Sequence, residues 1–309
     1  MEPIWRDYYL TLTPAAGGVP FSIVDRNSGN AVIFRGRAWQ KPEGGSIKVR
    51  LNDIAAGAFD RHFYPADLVA DKVTARLGIE DEGGGILGTV DFYQDWSYDV
   101  QRAEAFSPSD WLNEPIGDTF APGQYIPVTN LGTGFRTVMV YTEGEVVEET
   151  AQAGATTFID TTLYPTAYAL RLGYGYCARV CARWVLYYIN AYGGWDWMVV
   201  RGNVAEGDTV TRYNADRIYD NSDPYKVPRG RVNYASEIVH TYTIGTGALD
   251  EVAVGRMHHL LNATDVYLHD LERGTLVPLV ITNGAAQYRR NGKMAQYEIT
   301  AQLAQQRRR

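Results

Sequence analysis

Cysteine and histidine are scarce in this chain of 309 residues, which has two cysteines and five histidines. Two cysteines cannot form a disulfide framework, so the composition predicts folding in a reducing cytoplasm. Cys177 and Cys181 are four residues apart, and on a strand this spacing separates them by about 13 Å, beyond disulfide reach. A zinc site would need two more ligands, and the neighbours His258 and His259 would point about 100° apart on a helix. We expect two buried structural thiols, no metal and no cofactor.

The sequence also lacks an uncharged run of about 18 residues, and its start has no basic region followed by an apolar segment. These absences predict that there is no signal peptide and no membrane span. With 29 basic and 36 acidic side chains, the net charge is 29 − 36 = −7, and the sequence pI is about 5.3. Such an acidic chain is poorly suited to binding nucleic-acid phosphates, so no specific nucleic-acid partner is expected. Residues 307–309 are all arginine, and we interpret them as a solvated tail.

Recognisable catalytic motifs are missing as well. The sequence has no nucleophile elbow, metalloprotease helix motif, phosphate-binding loop or calcium-loop spacing. Ser236, His240 and the pair His269-Asp270 could be written as a hydrolase triad, but most chains of this length allow such a set. The acidic runs 80–82 and 148–149 could be the paired carboxylates of a glycosidase, although acidic runs beside glycines usually form solvated loops. We therefore predict that the protein is not an enzyme.

Alternation of apolar and polar residues with a period of two is the dominant positive signal. It is clearest over residues 46–54, 89–100 and 296–303. The chain is also rich in aromatic residues, with 22 Tyr, 9 Phe and 7 Trp, and such rings suit both β-sheets and protein interfaces. The pattern predicts an all-β or β-dominated fold built of β-sandwich modules.

Turn-forming residues interrupt the apolar runs and predict three hairpins, around residues 25–30, 193–194 and 270–275. One segment has helical spacing instead, because apolar residues recur every three or four positions between 249 and 262 and acidic residues occupy its first turn. We expect one packing helix at about 249–262.

Proline and glycine positions suggest two domains. We place the division just before the long aromatic segment, which gives an N-terminal β domain at 1–170 and a C-terminal β-sandwich domain with the helix at 171–309. The proline-rich stretch at about 107–127 is predicted to be an arm or loop. Residues Cys177–Tyr192 are predicted to form one long central strand. This strand and the helix supply the candidate core residues, which are Trp184, Leu186, Tyr188, Met257 and Leu260.

Four aromatic residues are candidates for a subunit interface, namely Trp195, Trp197, Trp111 and Tyr125. Trp195 and Trp197 share one side of a predicted strand, where alternation places them in the core or at a subunit contact. A carbohydrate platform is the alternative, because aromatic faces stack on sugar rings.

Three blocks in the C-terminal half resemble a family of tail or baseplate structural proteins of Bacteroidetes phages and prophages. They are Trp184–Asn203 (WVLYYINAYGGWDWMVVRGN), Arg256–Leu261 (RMHHLL) and Val266–Asn283 (VYLHDLERGTLVPLVITN), with a looser match over Ala31–Leu51. The resemblance implies a virion component built from β-sandwich modules, similar to a distal tail or adaptor protein, and it supplies no catalytic motif. It also implies synthesis in the cytoplasm of a bacterial host, a location in the virion tail, and partners that are copies of the chain and other tail proteins.

Two other functions stay open from the sequence. A glycan- or receptor-binding tail module would use exposed aromatic residues, and host glycan is its expected partner. A capsule-depolymerising enzyme would need clustered carboxylates in one cleft. The position within a virion, whether connector, tube, hub or baseplate, also stays open.

Overall fold

The computed structural model describes residues 2–3, 8–12, 19–26, 29, 31–38, 46–56, 63, 69–72, 74–93, 119–130, 134–172, 175–190, 193–216, 231–249, 251–282, 288–291 and 294–304. Strands dominate this part of the chain, so the predicted β-dominated fold class is confirmed. In chain order the strands are β1 Glu2–Pro3, β2 Tyr9–Leu12, β3 Val19–Asp25, β4 Ala31–Ala38, β5 Ile47–Arg50, β6 Val69–Lys72, β7 Thr74–Asp81, β8 Ile86–Tyr93, β9 Thr119–Phe120, β10 Tyr125–Asn130, β11 Arg136–Tyr141, β12 Val146–Ala151, β13 Ala155–Asp160, β14 Ala169–Leu172, β15 Gly175–Arg179, β16 Trp184–Ile189, β17 Trp195–Val200, β18 Val204–Asp216, β19 Arg231–Gly245, β20 Val266–Asp270, β21 Thr275–Ile281, β22 Tyr288–Asn291 and β23 Met294–Leu303.

The helices are α1, Asn52–Ala56, and α2, Glu251–Leu261. The predicted helix at about 249–262 is therefore confirmed as α2. The alternating segment 46–54 contains β5, and its last three residues begin α1 instead of continuing the strand. A short 3-10 helix, Thr161–Leu163, begins where the carboxylate of Asp160 accepts a hydrogen bond from the backbone N–H of Thr162.

The strands form five sheets that are mainly antiparallel. The first sheet has the order β1-β8-β7-β3-β4, and a two-stranded sheet pairs β2 with β5. Two further sheets have the orders β10-β13-β6 and β12-β11-β14-β15-β9. The largest sheet has eight strands in the order β17-β16-β20-β21-β23-β19-β18, with β22 attached to β23.

The three predicted hairpins are confirmed as β3–β4, β16–β17 and β20–β21. Each of the three turns contains a glycine with positive φ, Gly29 at 65°, Gly193 at 85° and Gly274 at 63°, a backbone conformation that other residues adopt at a cost. The turn chemistry of the sequence was thus sufficient to place these connections.

The long strand predicted over Cys177–Tyr192 is wrong, because the chain changes sheets inside it. Cys177 belongs to β15, which pairs with β14, whereas β16 pairs with β17 and β20 in the eight-stranded sheet. At the crossing, the Val180 N–H donates to the carbonyl of Phe120 and the Arg183 carbonyl accepts from the Leu271 N–H. Backbone hydrogen bonds to two different sheets therefore hold the turn between them.

Strand β16 is buried on both faces and joins two cores. Val185 and Tyr187 belong to a first core cluster, whose residues lie between Phe63 and Val199 in sequence. Most of this cluster comes from the sheets β10-β13-β6 and β12-β11-β14-β15-β9, which we call the sandwich. Leu186 and Tyr188 face a second cluster, which packs against α2. The division predicted between residues 170 and 171 falls within β14, and buried side chains from both sides of it pack in the first cluster.

The structure places four of the candidate core residues in the second cluster. Leu186, Tyr188, Met257 and Leu260 are each 1% exposed. Trp184 is a correction, because it is only partly buried at the start of β16. Its ring lies under the guanidinium of Arg183, with 4.8 Å between the charged carbon and the ring centroid, so one face of the indole packs against a cation rather than the core.

The predicted proline-rich arm at 107–127 lies partly outside the described residues. The described residues of this stretch begin with β9, and its last residues, Tyr125–Pro127, enter β10. Pro127 pairs with Phe158 of β13. This end of the stretch is built into the sandwich rather than standing apart from it.

Candidate functional site

Strands β18 and β19 form a long ribbon that is anchored at one end only. Their bases join the eight-stranded sheet, where residues 241–245 of β19 pair with β23. Val204 and Ile244 pack into the second core cluster at this end. The Gly245 N–H donates to the carbonyl of Asn203 over 2.8 Å, and Gly202 lies against the Gly245 backbone so closely that a Cβ would overlap it. The base of the ribbon is therefore fixed by close packing.

Beyond β23 the two strands pair only with each other among the described residues. Nine residue pairs, from Asp208–His240 to Asp216–Arg231, lie past the last pairing with β23. Nine pairs correspond to a length of about 30 Å. Every residue from Ala205 to Ala215 is exposed, so this length of β18 is solvated on both faces. We refer to residues 208–216 and 231–240 as the ribbon tip.

The ribbon tip carries apolar side chains that no other described element covers. Val210 is 46% exposed and Ile238 39%, and the two residues lie opposite each other. Tyr213 and Tyr234 are 43% and 68% exposed, with ring centroids 6.4 Å apart. The alternation of β19 is present in the sequence, but alternation alone does not predict a ribbon that extends past its sheet.

Polar contacts on the ribbon tip hold the two strands in register. His240 bonds through Nδ1 to the carboxylate of Asp208 on the facing strand. The Tyr213 hydroxyl donates to Glu237 over 3.2 Å. These cross-strand pairs stabilise the ribbon while leaving its apolar residues in water.

The residues that could be written as a hydrolase triad are not brought together. Ser236 and His240 are four residues apart on β19, a separation of about 13 Å along a strand. His269 lies in β20 and is 7% exposed, with its ring centroid 6.3 Å from that of Tyr125 and 6.0 Å from that of Tyr187, and its Nδ1 has no hydrogen-bond partner in the described part of the chain. Burial lowers the pKa of His269.

Asp270 follows His269 and has a structural role. Its carboxylate receives hydrogen bonds from Arg183 at 3.0 and 2.6 Å, and from the backbone N–H groups of Glu272 and Arg273 at 3.1 and 3.3 Å. The hydrogen bonds from Arg183 lower the pKa of Asp270. The carboxylate thus closes the β20–β21 turn and fixes the start of β16.

The acidic runs considered as paired carboxylates also have structural contacts. Asp81 accepts from the N–H groups of two residues in the glycine-rich β7–β8 turn, at 2.9 and 2.6 Å, and Glu80 bridges to Arg26 at 2.7 Å. In the second run, Glu149 accepts from the hydroxyl of Tyr164. In both runs these acids bond to backbone or side-chain groups of the fold.

The prediction of two buried thiols is half wrong. Cys177 is fully buried and not disulfide-bonded, and burial raises its pKa to about 12. Cys181 is exposed, because it lies where the chain crosses between sheets, in an open depression shared with Arg183 and Arg201.

Within the described ranges, no group of three or more His, Cys, Asp or Glu side chains is arranged to hold a metal ion.

The candidate interface residues need correction. Trp195 and Trp197 are each 1% exposed, because β17 is packed on both faces, so neither can contact another subunit or a sugar. Trp197 Nε1 donates to the carbonyl of Thr119 over 2.9 Å, which satisfies its one donor. Tyr125 is partly buried, and Trp111 lies outside the described residues.

A second aromatic surface lies on the β11-β14-β15 sheet. Tyr168 and Tyr176 are each 55% exposed, and their ring centroids lie 6.4 and 6.0 Å from that of Tyr141. The guanidinium carbon of Arg171 lies 5.6 Å from the Tyr176 ring centroid. We refer to these four residues as the tyrosine patch.

Comparison with known protein families and with curated proteins gives no match. Among the residues that the structure describes, no helix has the length and apolar character needed to cross a membrane.

Proposed function

We propose that this protein is a virion structural protein, a component of a phage tail, connector or baseplate that acts by oligomeric assembly rather than by catalysis. The observation that carries the proposal is the ribbon tip, which extends past the sheet with apolar residues exposed on it. A two-stranded hairpin is marginally stable alone in water, and burial of its apolar residues against a partner would stabilise it. The resemblance of the sequence to tail and baseplate proteins supports the same assignment.

The expected partners are copies of this chain and other tail proteins. Repeated contacts between unlike surfaces of identical subunits close into a ring when the rotation between neighbours permits it. The net charge of −7 would keep free subunits apart until their surfaces match. No membrane or specific nucleic-acid partner is proposed.

Removal of the ribbon tip tests the proposal. In the variant, residues 209–239 are replaced by Asn-Gly, which leaves the Asp208–His240 pair as the last one before a two-residue hairpin turn. We expect the full chain to form multi-copy assemblies in sedimentation velocity and the variant to stay monomeric at the same concentration. The deleted segment contains no tryptophan, so fluorescence can report whether the variant keeps the fold.

A control variant places the same Asn-Gly turn in a different hairpin. The β11–β12 turn holds Glu143 and Gly144, which are exposed, and Glu143→Asn should leave assembly unchanged. Assembly of the folded tip-deleted variant to the same size as the full chain would contradict the proposal.

The tyrosine patch favours a second candidate function, a glycan-binding tail module. Exposed, adjacent aromatic rings beside a guanidinium can stack on sugar rings and donate hydrogen bonds to hydroxyl or acidic groups. Tyr168→Ala with Tyr176→Ala should then abolish saturable binding to host polysaccharide, whereas Tyr213→Ala on the ribbon should not. Equal binding by both variants would count against a glycan site in the patch.

A further inference from the structure

Strand β4 is another exposed sheet edge, at the end of the sheet β1-β8-β7-β3-β4. It has no partner on its outer side among the described residues. Its apolar residues are exposed, with Val32 at 46%, Ile33 at 37% and Phe34 at 39%. Long exposed edges are templates for pairing with another strand, and proteins usually shorten or cover them.

Two of the exposed edges, those of β4 and β18, carry opposite charges. β4 contains two arginines and no acidic residue, a formal charge of +2. β18 contains three acidic residues and one arginine, 1 − 3 = −2. Electrostatic complementarity of this kind steers association and fixes register.

The spacing of the charges matches as well as their sign. Arg35 and Arg37 are two residues apart, so both lie on one face of β4, and both are exposed. Glu206 and Asp208 are also two residues apart and exposed on one face of β18. One antiparallel register brings both charge pairs together and aligns the glycines between them: Arg37 opposite Glu206, Gly36 opposite Gly207 and Arg35 opposite Asp208.

We propose that β4 of one copy adds antiparallel to β18 of a neighbouring copy in this register. This inference rests on the proposed function, because it names the partner surface of the ribbon. The contact joins the sheet that ends in β4 in one subunit to the eight-stranded sheet of the next. Each copy then offers one β4 and one β18, so the contact is between unlike surfaces and can propagate from subunit to subunit.

The antiparallel direction follows from what each register covers. It carries the apolar half of β4, which has a bulge at Ile33, outward along β18 toward the exposed Val210. A parallel register that pairs the same charges would place the apolar half of β4 at the base of the ribbon, beside Val204, which is already partly buried in its own core. Antiparallel ladders are also the more stable per residue.

The other acidic edge strand fits β4 less well. β12 ends its sheet and carries Glu148 and Glu149. Neighbouring residues on a strand point to opposite faces, so these two acids cannot both meet Arg35 and Arg37, which share a face. β17 is the other end of the eight-stranded sheet, but it is buried against the sandwich.

Charge reversal tests the contact. Self-association is measured by sedimentation velocity for Arg35→Glu, for Asp208→Arg and for the two changes combined, all in a His240→Ala background, because Asp208 also bonds to His240 within its own ribbon. We expect each single reversal to weaken the dissociation constant about tenfold or more and the combined swap to return it to within about threefold of the original value. Lys48→Glu and Glu148→Arg make the same charge changes on exposed residues of other strands, and these controls should leave it unchanged within about twofold.

Cross-linking tests the register independently. In a Cys181→Ser background, Arg37→Cys with Glu206→Cys should form an intersubunit disulfide, because facing Cα atoms in antiparallel strands lie within disulfide range. Arg37→Cys with Thr209→Cys, three residues further along and on the opposite face, should not. Assembly that persists with no rescue by the swap and no matched cross-link would overturn this inference and leave the proposed function standing. A chain that stays monomeric would overturn both.

Discussion

The contact between Asp270 and Arg183 allows a sharp test of how the sheet crossing is held. Asp270 is 1% exposed, and its carboxylate receives two hydrogen bonds from Arg183 and two from backbone N–H groups in the following turn. Glu272 also pairs with Arg183, at 3.0 Å, but its side chain is 67% exposed. The same guanidinium thus contacts one buried and one solvated carboxylate.

The burial of each carboxylate determines the expected loss. Removing one partner of a buried ion pair costs about 3–5 kcal/mol, and the lower end applies because the Arg183 side chain is 35% exposed and can regain water. We expect Asp270→Ala to lower the free energy of unfolding by about 3 kcal/mol. Asp270→Asn should cost about 2 kcal/mol, because the amide oxygen can still accept from the turn. The matched control, Glu272→Gln, should cost about 0.5 kcal/mol or less.

Urea denaturation followed by tryptophan fluorescence measures these differences. A loss for Asp270→Ala no larger than that for Glu272→Gln would refute the assignment of the carboxylate as the element that closes the crossing. The pH dependence gives a second readout. Because the pKa of Asp270 is lowered in the folded state, its contribution is present above its unfolded pKa of about 3.9 and lost as the pH falls through the folded value. The gap between the wild-type protein and Asp270→Asn should narrow as the pH falls below about 4.

Three further predictions concern packing. Phe63→Ala should cost about 3–5 kcal/mol of unfolding free energy in urea melts, because four aromatic rings lie 4.6–5.3 Å from the Phe63 ring; a loss below about 1 kcal/mol would contradict its place in the core. Iodoacetamide at pH 8 should modify Cys181 alone in mass spectra of the native protein, and alkylation of Cys177 at an equal rate would contradict its burial and raised pKa. Gly202→Ala should lower the melting temperature, since its Cβ would overlap a carbonyl oxygen of β19, whereas Gly144→Ala, with open space around it, should not; equal melting temperatures would refute the close approach.

Local chemistry predicted much of the fold. Glycines between apolar runs were enough to place the β16–β17 and β20–β21 hairpins, because turn geometry depends on a few neighbouring residues. The spacing of apolar residues was enough to find α2. Both signals lie within the element itself and do not depend on what packs against it.

Features decided by distant contacts were missed. The apolar run through Cys177 and Trp184 reads as one strand, but the chain changes sheets within it. The groups that hold the crossing are distant in sequence, since Arg183 donates to Asp270, 87 residues away. Alternation put Trp195 on a face without showing that the sandwich covers it. The ribbon has the same alternating pattern as a buried strand, and only the three-dimensional pairing shows that β23 ends before its tip does.

Electron cryo-microscopy of the purified chain, at concentrations where it sediments as a single species, most directly tests the claim that the protein assembles through its ribbon tip. We expect particles with several copies around a common axis and the ribbon tip of each copy in contact with its neighbour. Images of single copies at every concentration, with the ribbon tip contacting no other chain, would contradict it.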